Sequence, residues 1–183
     1  APPAAPPAPR CLALVDLVLV LDRSGSVGPQ KDEIKRFADQ VLSQFELDEA
    51  STLFGLVTFN DNASIPQEML QAPLTDDRDQ VTDAIANYNA EGGTCISCGI
   101  EAARDVLTDS PKSRTNKGTA NYNERVRKII FLVTDGDQID GCVKDGKPFG
   151  CRKTAIDMAK QARDDRIELF AIGFGDNLNN DGP

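Results

Sequence analysis

Asp22, Ser24 and Ser26 occupy alternate positions in Asp22-Arg23-Ser24-Gly25-Ser26, directly after the apolar run Leu17-Val18-Leu19-Val20-Leu21. An acid and two hydroxyls offer only hard oxygen donors, and such sets select Mg²⁺, Mn²⁺ or Ca²⁺ over softer metals. Two further segments carry the same chemistry. Glu91-Gly92-Gly93-Thr94 presents a hydroxyl beside two permissive glycines. Thr134-Asp135-Gly136 closes the apolar-centred run that begins at Lys128. Asp22, Ser24, Ser26, Thr94 and Asp135 are therefore the candidate ligands of one divalent cation. Three hydroxyls and two carboxylates do not neutralise and enclose an ion as an all-carboxylate cage would. If the hydroxyls bind directly and the acids act partly through water, the ion keeps residual charge and an exchangeable position. A carboxylate from a partner fits that position, and the cation then bridges two molecules.

Other chemistries find little support. The 183 residues include no histidine, which removes Ser/His/Asp and Cys/His catalysis and makes an ordinary zinc site unexpected. A metal-dependent phosphoryl hydrolase built on Asp22 would want a second acid two residues on, where Ser24 stands after Arg23. The chain has no P-loop glycine-lysine motif either, so no nucleophile and base set emerges and a non-enzymatic role is expected. A net charge of −9 argues against nucleic acid, whose phosphates need a basic face. No apolar stretch reaches the ~20 residues of a membrane-spanning helix. The start is not charged-then-apolar, so any secretory leader is expected to have been removed already.

The elements that must position these residues alternate between strand and helix. Ala1 to Arg10 is nearly all Pro and Ala and reads as a polyproline II linker, or as a segment that docks on a Pro-rich matrix or filament. From Cys11 the pattern predicts a first strand over Leu12 to Leu21. An amphipathic helix follows over Pro29 to Phe45, and a second strand over Thr52 to Phe59. A turn at Asn60-Asp61-Asn62 leads to a third strand over Ser64 to Met69, expected to lie antiparallel at the sheet edge. Short helices are expected over Asp79 to Tyr88 and from Ile96. Ser110 to Arg125 is polar and reads as an exposed loop. A strand at Lys128 to Thr134, a helix at Arg152 to Arg166 and a strand at Glu168 to Gly173 complete the pattern. The fold class is α/β: a doubly wound, mostly parallel sheet with one antiparallel edge strand and helices on both faces. In such a sheet the first and fourth strands are neighbours and the order reverses between them. Asp22 and Asp135 would then flank one crevice, with the Thr94 loop across it. Asp137 and Asp140 extend the acidic run as a solvated loop. Asp16 interrupts the first strand near its starting end and is assigned no chemistry.

With these residues in order, the chain resembles the von Willebrand factor type A domain. The resemblance rests on Asp22 to Ser26, Gly93-Thr94, Thr134-Asp135-Gly136 and the strand-like Phe170-Ala171-Ile172-Gly173-Phe174-Gly175, and it covers roughly Cys11 to Asn180. It implies a metal-ion-dependent adhesion site in which residues like Ser24, Ser26 and Thr94 coordinate directly, and those like Asp22 and Asp135 directly or through water. It also implies an extracellular adhesion or matrix role with a protein or glycan partner that offers a carboxylate. Measured against that family, residues 11–183 form a domain expected to lack its final helix, strand and helix. The other reading kept open is a structural subunit of an extracellular filament or matrix, in which the cation only stabilises the fold.

Five cysteines suggest an oxidising compartment, and Asn62-Ala63-Ser64 is a glycosylation sequon that agrees with secretion. Cys142 and Cys151 bracket a loop rich in Gly and Pro, and a local disulfide is the simplest reading there. Cys95 and Cys98 stand three apart at a helix start, where a structural disulfide is favoured over redox chemistry. Cross-pairing between the two pairs, or a four-cysteine zinc site, stays open at this stage. Cys11 is left over, and its partner is expected in sequence outside this chain.

Overall fold

The computed structural model describes residues 14–60, 70–114, 126–136, 143–144, 147–148 and 151–175. β1 (Leu14–Asp22) is followed by a 3-10 turn (Gly25–Gln30), α1 (Lys31–Ser43), β2 (Thr52–Phe59), β3 (Leu70–Thr75), α2 (Arg78–Ala86), α3 (Ile96–Asp109) and β4 (Val126–Thr134). A two-residue ribbon, β5 (Val143–Lys144) and β6 (Lys147–Pro148), then precedes α4 (Cys151–Asp164) and β7 (Ile167–Gly173).

The main sheet among the described residues has the order β3-β2-β1-β4-β7. β1 pairs in parallel with β2 on one side and β4 on the other, β4 pairs in parallel with β7, and β3 runs antiparallel to β2 at the edge. The doubly wound arrangement expected from the sequence is therefore present, and strand order reverses between β1 and β4. β1 is apolar on both faces because both faces are covered. Val18 and Val20 join α3 residues such as Ala103 and Leu107 and α4 residue Ala162 in one core. Leu17, Leu19 and Leu21 join α1 residues Ile34, Ala38 and Leu42 and α2 residues Val81 and Ile85 in the other. The four-residue spacing of Ile34, Ala38 and Leu42 puts all three on one helical face. α2 begins where the Asp77 carboxylate accepts hydrogen bonds from the Asp79 and Gln80 amides at 3.0 and 3.2 Å, a side-chain N-cap.

The described antiparallel edge strand is Leu70–Thr75, and the strand expected over Ser64 to Met69 lies outside the described residues. Pro73 is tolerated there because an edge strand has no partner for its missing N–H. The expected exposed loop from Ser110 to Arg125 needs correction at one point, because one of its side chains is largely withdrawn from solvent. The Arg114 side chain is 9% exposed and pairs at 2.7 Å with the fully buried Asp16 carboxylate. Arg114 also donates to the carbonyls of Val15, Glu49 and Ser51. Asp16 is thus the acid of a buried ion pair that ties the chain after α3 to the starting ends of β1 and β2. The N-terminal segment, Asn62, Cys11, Asp137, Asp140, Cys142 and the Cys151 side chain lie outside what is described.

Candidate cation site

The carboxyl ends of β1 and β4 meet at the reversal of strand order. Leu21 is in register with Val133, so Asp22 emerges beside Thr134 and Asp135 follows one residue later. Asp22 is wholly buried and Ser24 is 1% exposed. One Asp22 carboxylate oxygen accepts from the Ser24 amide at 2.8 Å, and the other from the Thr134 hydroxyl at 2.6 Å. The Ser24 and Ser26 hydroxyls lie 3.0 Å apart. A pair of hydroxyls at that distance presents two oxygen donors to the same side of the strand end.

The loop carrying Thr94 is fastened to this strand end by its backbone. The Glu91 amide donates to the Arg23 carbonyl at 2.6 Å, and the Gly25 amide donates to the Gly92 carbonyl at 2.8 Å. Gly92 adopts φ 85°, a left-handed conformation that a side chain would strain. Downstream, the Cys95 amide donates to the Asn60 carbonyl at 2.9 Å. Thr94 sits between these anchors and is buried. Tyr88, two residues past α2, donates its hydroxyl to the Asp22 carbonyl at 2.5 Å and so braces the strand end. Gly136, at φ 101°, lets the chain turn sharply after Asp135 while its amide donates to the Thr134 hydroxyl at 3.2 Å.

The electrostatics are lopsided. Burial pushes the Asp22 carboxyl above the ordinary carboxylate range, its hydrogen bonds to Thr134 and Ser24 pull it back, and the nearby Asp135 charge pushes it up again. Tyr88 is raised first by burial and then by the charges of Asp22 and Asp135. Among the described residues no lysine or arginine forms an ion pair with Asp22. A buried charge normally needs a counter-charge or a metal. Donor chemistry therefore fits a hard divalent cation: two acids and three hydroxyls, with no soft donor. No cluster of three or more His, Cys, Asp or Glu side chains occurs among the described residues.

Of the five residues expected to act as ligands, the fold brings Asp22, Ser24 and Ser26 together, sets Asp135 within electrostatic reach of Asp22, and fastens the Thr94 loop against the same strand end. Sequence reasoning missed Thr134 and Tyr88 as supports. Thr134 could have been found from its place at the end of a strand paired with β1. Tyr88 offered only its inward position on the helix expected over Asp79 to Tyr88, and nothing local pointed to the Asp22 carbonyl. Cys95 and Cys98 form a disulfide with each other, which removes cross-pairing to the Cys142 to Cys151 segment and leaves those two sulfurs without thiolates to offer zinc.

A family model described as "von Willebrand factor type A domain" matches residues 16–181. Human calcium-activated chloride channel regulator 4 is 27% identical over 97% of this chain and 19% of its own length. Human collagen alpha-1(XXI) chain is 31% identical over 89% of this chain and 14% of its own length. This chain thus spans less than a fifth of either relative. Among solved structures, manganese-loaded Plasmodium vivax TRAP protein superposes with a TM-score of 0.62 at 18% identity, over 92% of this chain and 60% of that one. At that identity the likeness concerns the fold.

Proposed function

Because this chain belongs to the von Willebrand factor type A domain family, we propose that it is an extracellular adhesion or matrix module. It engages an acidic protein or glycan through a divalent cation held by Asp22, Ser24, Ser26, Thr94 and Asp135. The observation that carries this reading is the wholly buried Asp22 carboxylate, held by hydrogen bonds from Ser24 and Thr134 and, among the described residues, by no cationic side chain, while a second acid raises its pKa. Such a carboxylate is costly alone and favourable beside a cation. A bound Mg²⁺, Mn²⁺ or Ca²⁺ would supply a coordination position for a partner's carboxylate.

The protein's own residues do the rest. Thr134 and the Ser24 amide fix both oxygens of Asp22, so the acid is oriented before any ion arrives. Ser24 and Ser26 face each other as neutral donors, which leave positive charge on the ion where a third or fourth carboxylate would cancel it. The Glu91 to Thr94 loop closes the crevice from the side. With no histidine in the chain to activate a hydroxyl, the reading is of a binding module.

A collagen chain among the relatives supports an extracellular setting. So does the Cys95–Cys98 disulfide, a bond rare in reducing compartments. No helix among the described residues is long and apolar enough to cross a membrane.

The test is calorimetry of the intact chain with Mn²⁺ and Mg²⁺, alongside retention on an immobilised acidic ligand such as a carboxylated peptide. Uptake of about one ion, release of the ligand by chelator and loss of both in Asp22→Asn are expected. Absence of any uptake by folded protein overturns the reading.

A further inference from the structure

The Cys95–Cys98 disulfide begins one residue after Thr94, and it links an unusual pair of positions. α3 runs from Ile96, so Cys95 is its N-cap and Cys98 is its N3 residue. An N-cap side chain usually accepts a hydrogen bond from the first-turn amides, often reciprocated by the N3 side chain. Cys95 makes no such side-chain cap. A covalent bond spans N-cap to N3 instead, with Cα atoms 5.3 Å apart.

The surroundings make this bond a support for the loop. The Cys95 carbonyl accepts from the Cys98 and Gly99 amides at 3.0 and 3.2 Å, and the Cys95 amide reaches across to the Asn60 carbonyl. Gly99 packs so tightly that a Cβ there would lie 2.6 Å from the Phe59 ring. The first turn of α3 is therefore pressed against the end of β2, and Cys95 is the point where the Thr94 loop joins it. The loop closed by this disulfide is the short kind that restricts the unfolded chain least, since its sequence separation is 3. Its leverage is local, on the residue before it.

We propose that the Cys95–Cys98 disulfide is a positioning device for Thr94, so that the cation affinity of the site depends on the redox state of this pair. The inference rests on the cation-site reading above. Reduction is a two-electron exchange with a dithiol. Its thiolate attacks Cys98 Sγ, on the residue that is 6% exposed where Cys95 is fully buried. The Sγ–Sγ bond breaks, its electron pair leaves on Cys95 Sγ, and that sulfur takes up a proton. The second thiol of the reagent then closes its own disulfide and releases Cys98 as a thiol. Without the covalent cap the first turn of α3 frays, and Thr94 is no longer held where Ser24 and Ser26 present their hydroxyls.

The experiment uses the intact chain and Mn²⁺ as the probe. Mn²⁺ affinity is read by electron paramagnetic resonance on oxidised and on dithiol-reduced protein. The midpoint of the pair is read in dithiol redox buffers, with and without saturating Mn²⁺. Acid quench, alkylation and mass spectrometry of the peptide that carries both cysteines give the reduced fraction. Loss of a helix cap predicts Mn²⁺ binding weakened about tenfold on reduction. Linkage requires the reciprocal effect: Mn²⁺ should move the midpoint about 30 mV more negative, the two-electron equivalent of tenfold. Cys95→Ala/Cys98→Ala, which supplies no capping side chain, should reproduce the weakened binding without a dithiol. A midpoint and an affinity that ignore each other overturn the inference and leave the cation site standing. A shift accompanied by loss of the far-ultraviolet helical signal overturns it too, since the bond would then hold the fold and not Thr94. No Mn²⁺ uptake by the oxidised protein removes the cation site itself, and the inference with it.

Discussion

Asp22→Asn should stabilise the cation-free protein at neutral pH while abolishing its response to divalent ions. The substitution keeps the shape of the side chain. Its carbonyl oxygen can accept from the Ser24 amide, as Asp22 does at 2.8 Å. Its amide can donate to the Thr134 hydroxyl, which now donates to Asp22 at 2.6 Å, once that hydroxyl turns its proton elsewhere. Two hydrogen bonds survive and a buried charge disappears. Asp22→Ala instead removes both bonds and strands their partners, at about 1–3 kcal/mol each, or about 2–6 kcal/mol together.

Calorimetric melting in chelator should therefore order the variants as Asn at or above wild type, and Ala well below. With ion at about a hundredfold its dissociation constant, wild type gains about 2.7 kcal/mol by mass action. For a domain of this size that is about 5–11 °C, and neither variant should show it. The pH dependence has a definite sign. The Asp22 carboxyl is raised in the fold, so the native state holds its proton to higher pH than the unfolded chain. Without cation its contribution is fully present below the unfolded value of about 3.9, and it is lost as pH rises through the folded value. The stability gap between Asn and wild type should thus open with rising pH and close in acid. If Asn were as damaging as Ala in chelator, the carboxylate would already be compensated within the protein, and the argument from its burial would fail.

Three other substitutions separate the site from its scaffold. Arg114→Met leaves the buried Asp16 unpaired, and urea unfolding should report a loss of about 3–5 kcal/mol with unchanged ion affinity, since the pair sits at the opposite end of β1. Tyr88→Phe removes the bond to the Asp22 carbonyl; a loss of about 1 kcal/mol in stability is expected, together with weaker Mn²⁺ binding by calorimetry. Gly99→Ala drives a methyl into the Phe59 ring, and thermal melting should show about 1–3 kcal/mol of destabilisation accompanied by weakened Mn²⁺ uptake, because α3 and the Thr94 loop must move together.

Much of this was legible before the fold was known, for physical reasons that differ by element. β1 and β4 announced themselves because a strand covered on both faces must be apolar throughout, and their adjacency followed from the alternation of strands and helices. That was enough to bring Asp22 and Asp135 to one crevice. β3 was not read from the sequence because Leu70–Thr75 contains Pro73 and shows no clean alternation; its burial is set by β2 and not by its own pattern. Arg114 was hidden in a polar stretch whose composition reads as solvent-facing. A signal was available elsewhere, in Asp16: an acid inside an apolar strand calls for a base, though the sequence does not say which of its 20 lysines and arginines supplies it. Among the cysteines, spacing alone left several pairings open, and only the helix that places Cys95 and Cys98 one turn apart selects between them.

Asp16 and Asp22 make the comparison on which the functional reading turns. They lie six residues apart on the same strand, their even spacing puts them on the same face, and both are wholly buried. At the starting end, Asp16 receives the Arg114 guanidinium at 2.7 Å, and its backbone amide at 3.0 Å. At the carboxyl end, Asp22 receives an amide and a hydroxyl, with a second acid close by. The fold thus provides a base for one buried acid and hydroxyl oxygens for the other. If Asp22 served only to cap the turn after β1, an asparagine or a serine would do so without a buried charge. The carboxylate, its oriented oxygens and the facing hydroxyls of Ser24 and Ser26 make physical sense together once a positive charge from outside the chain completes them.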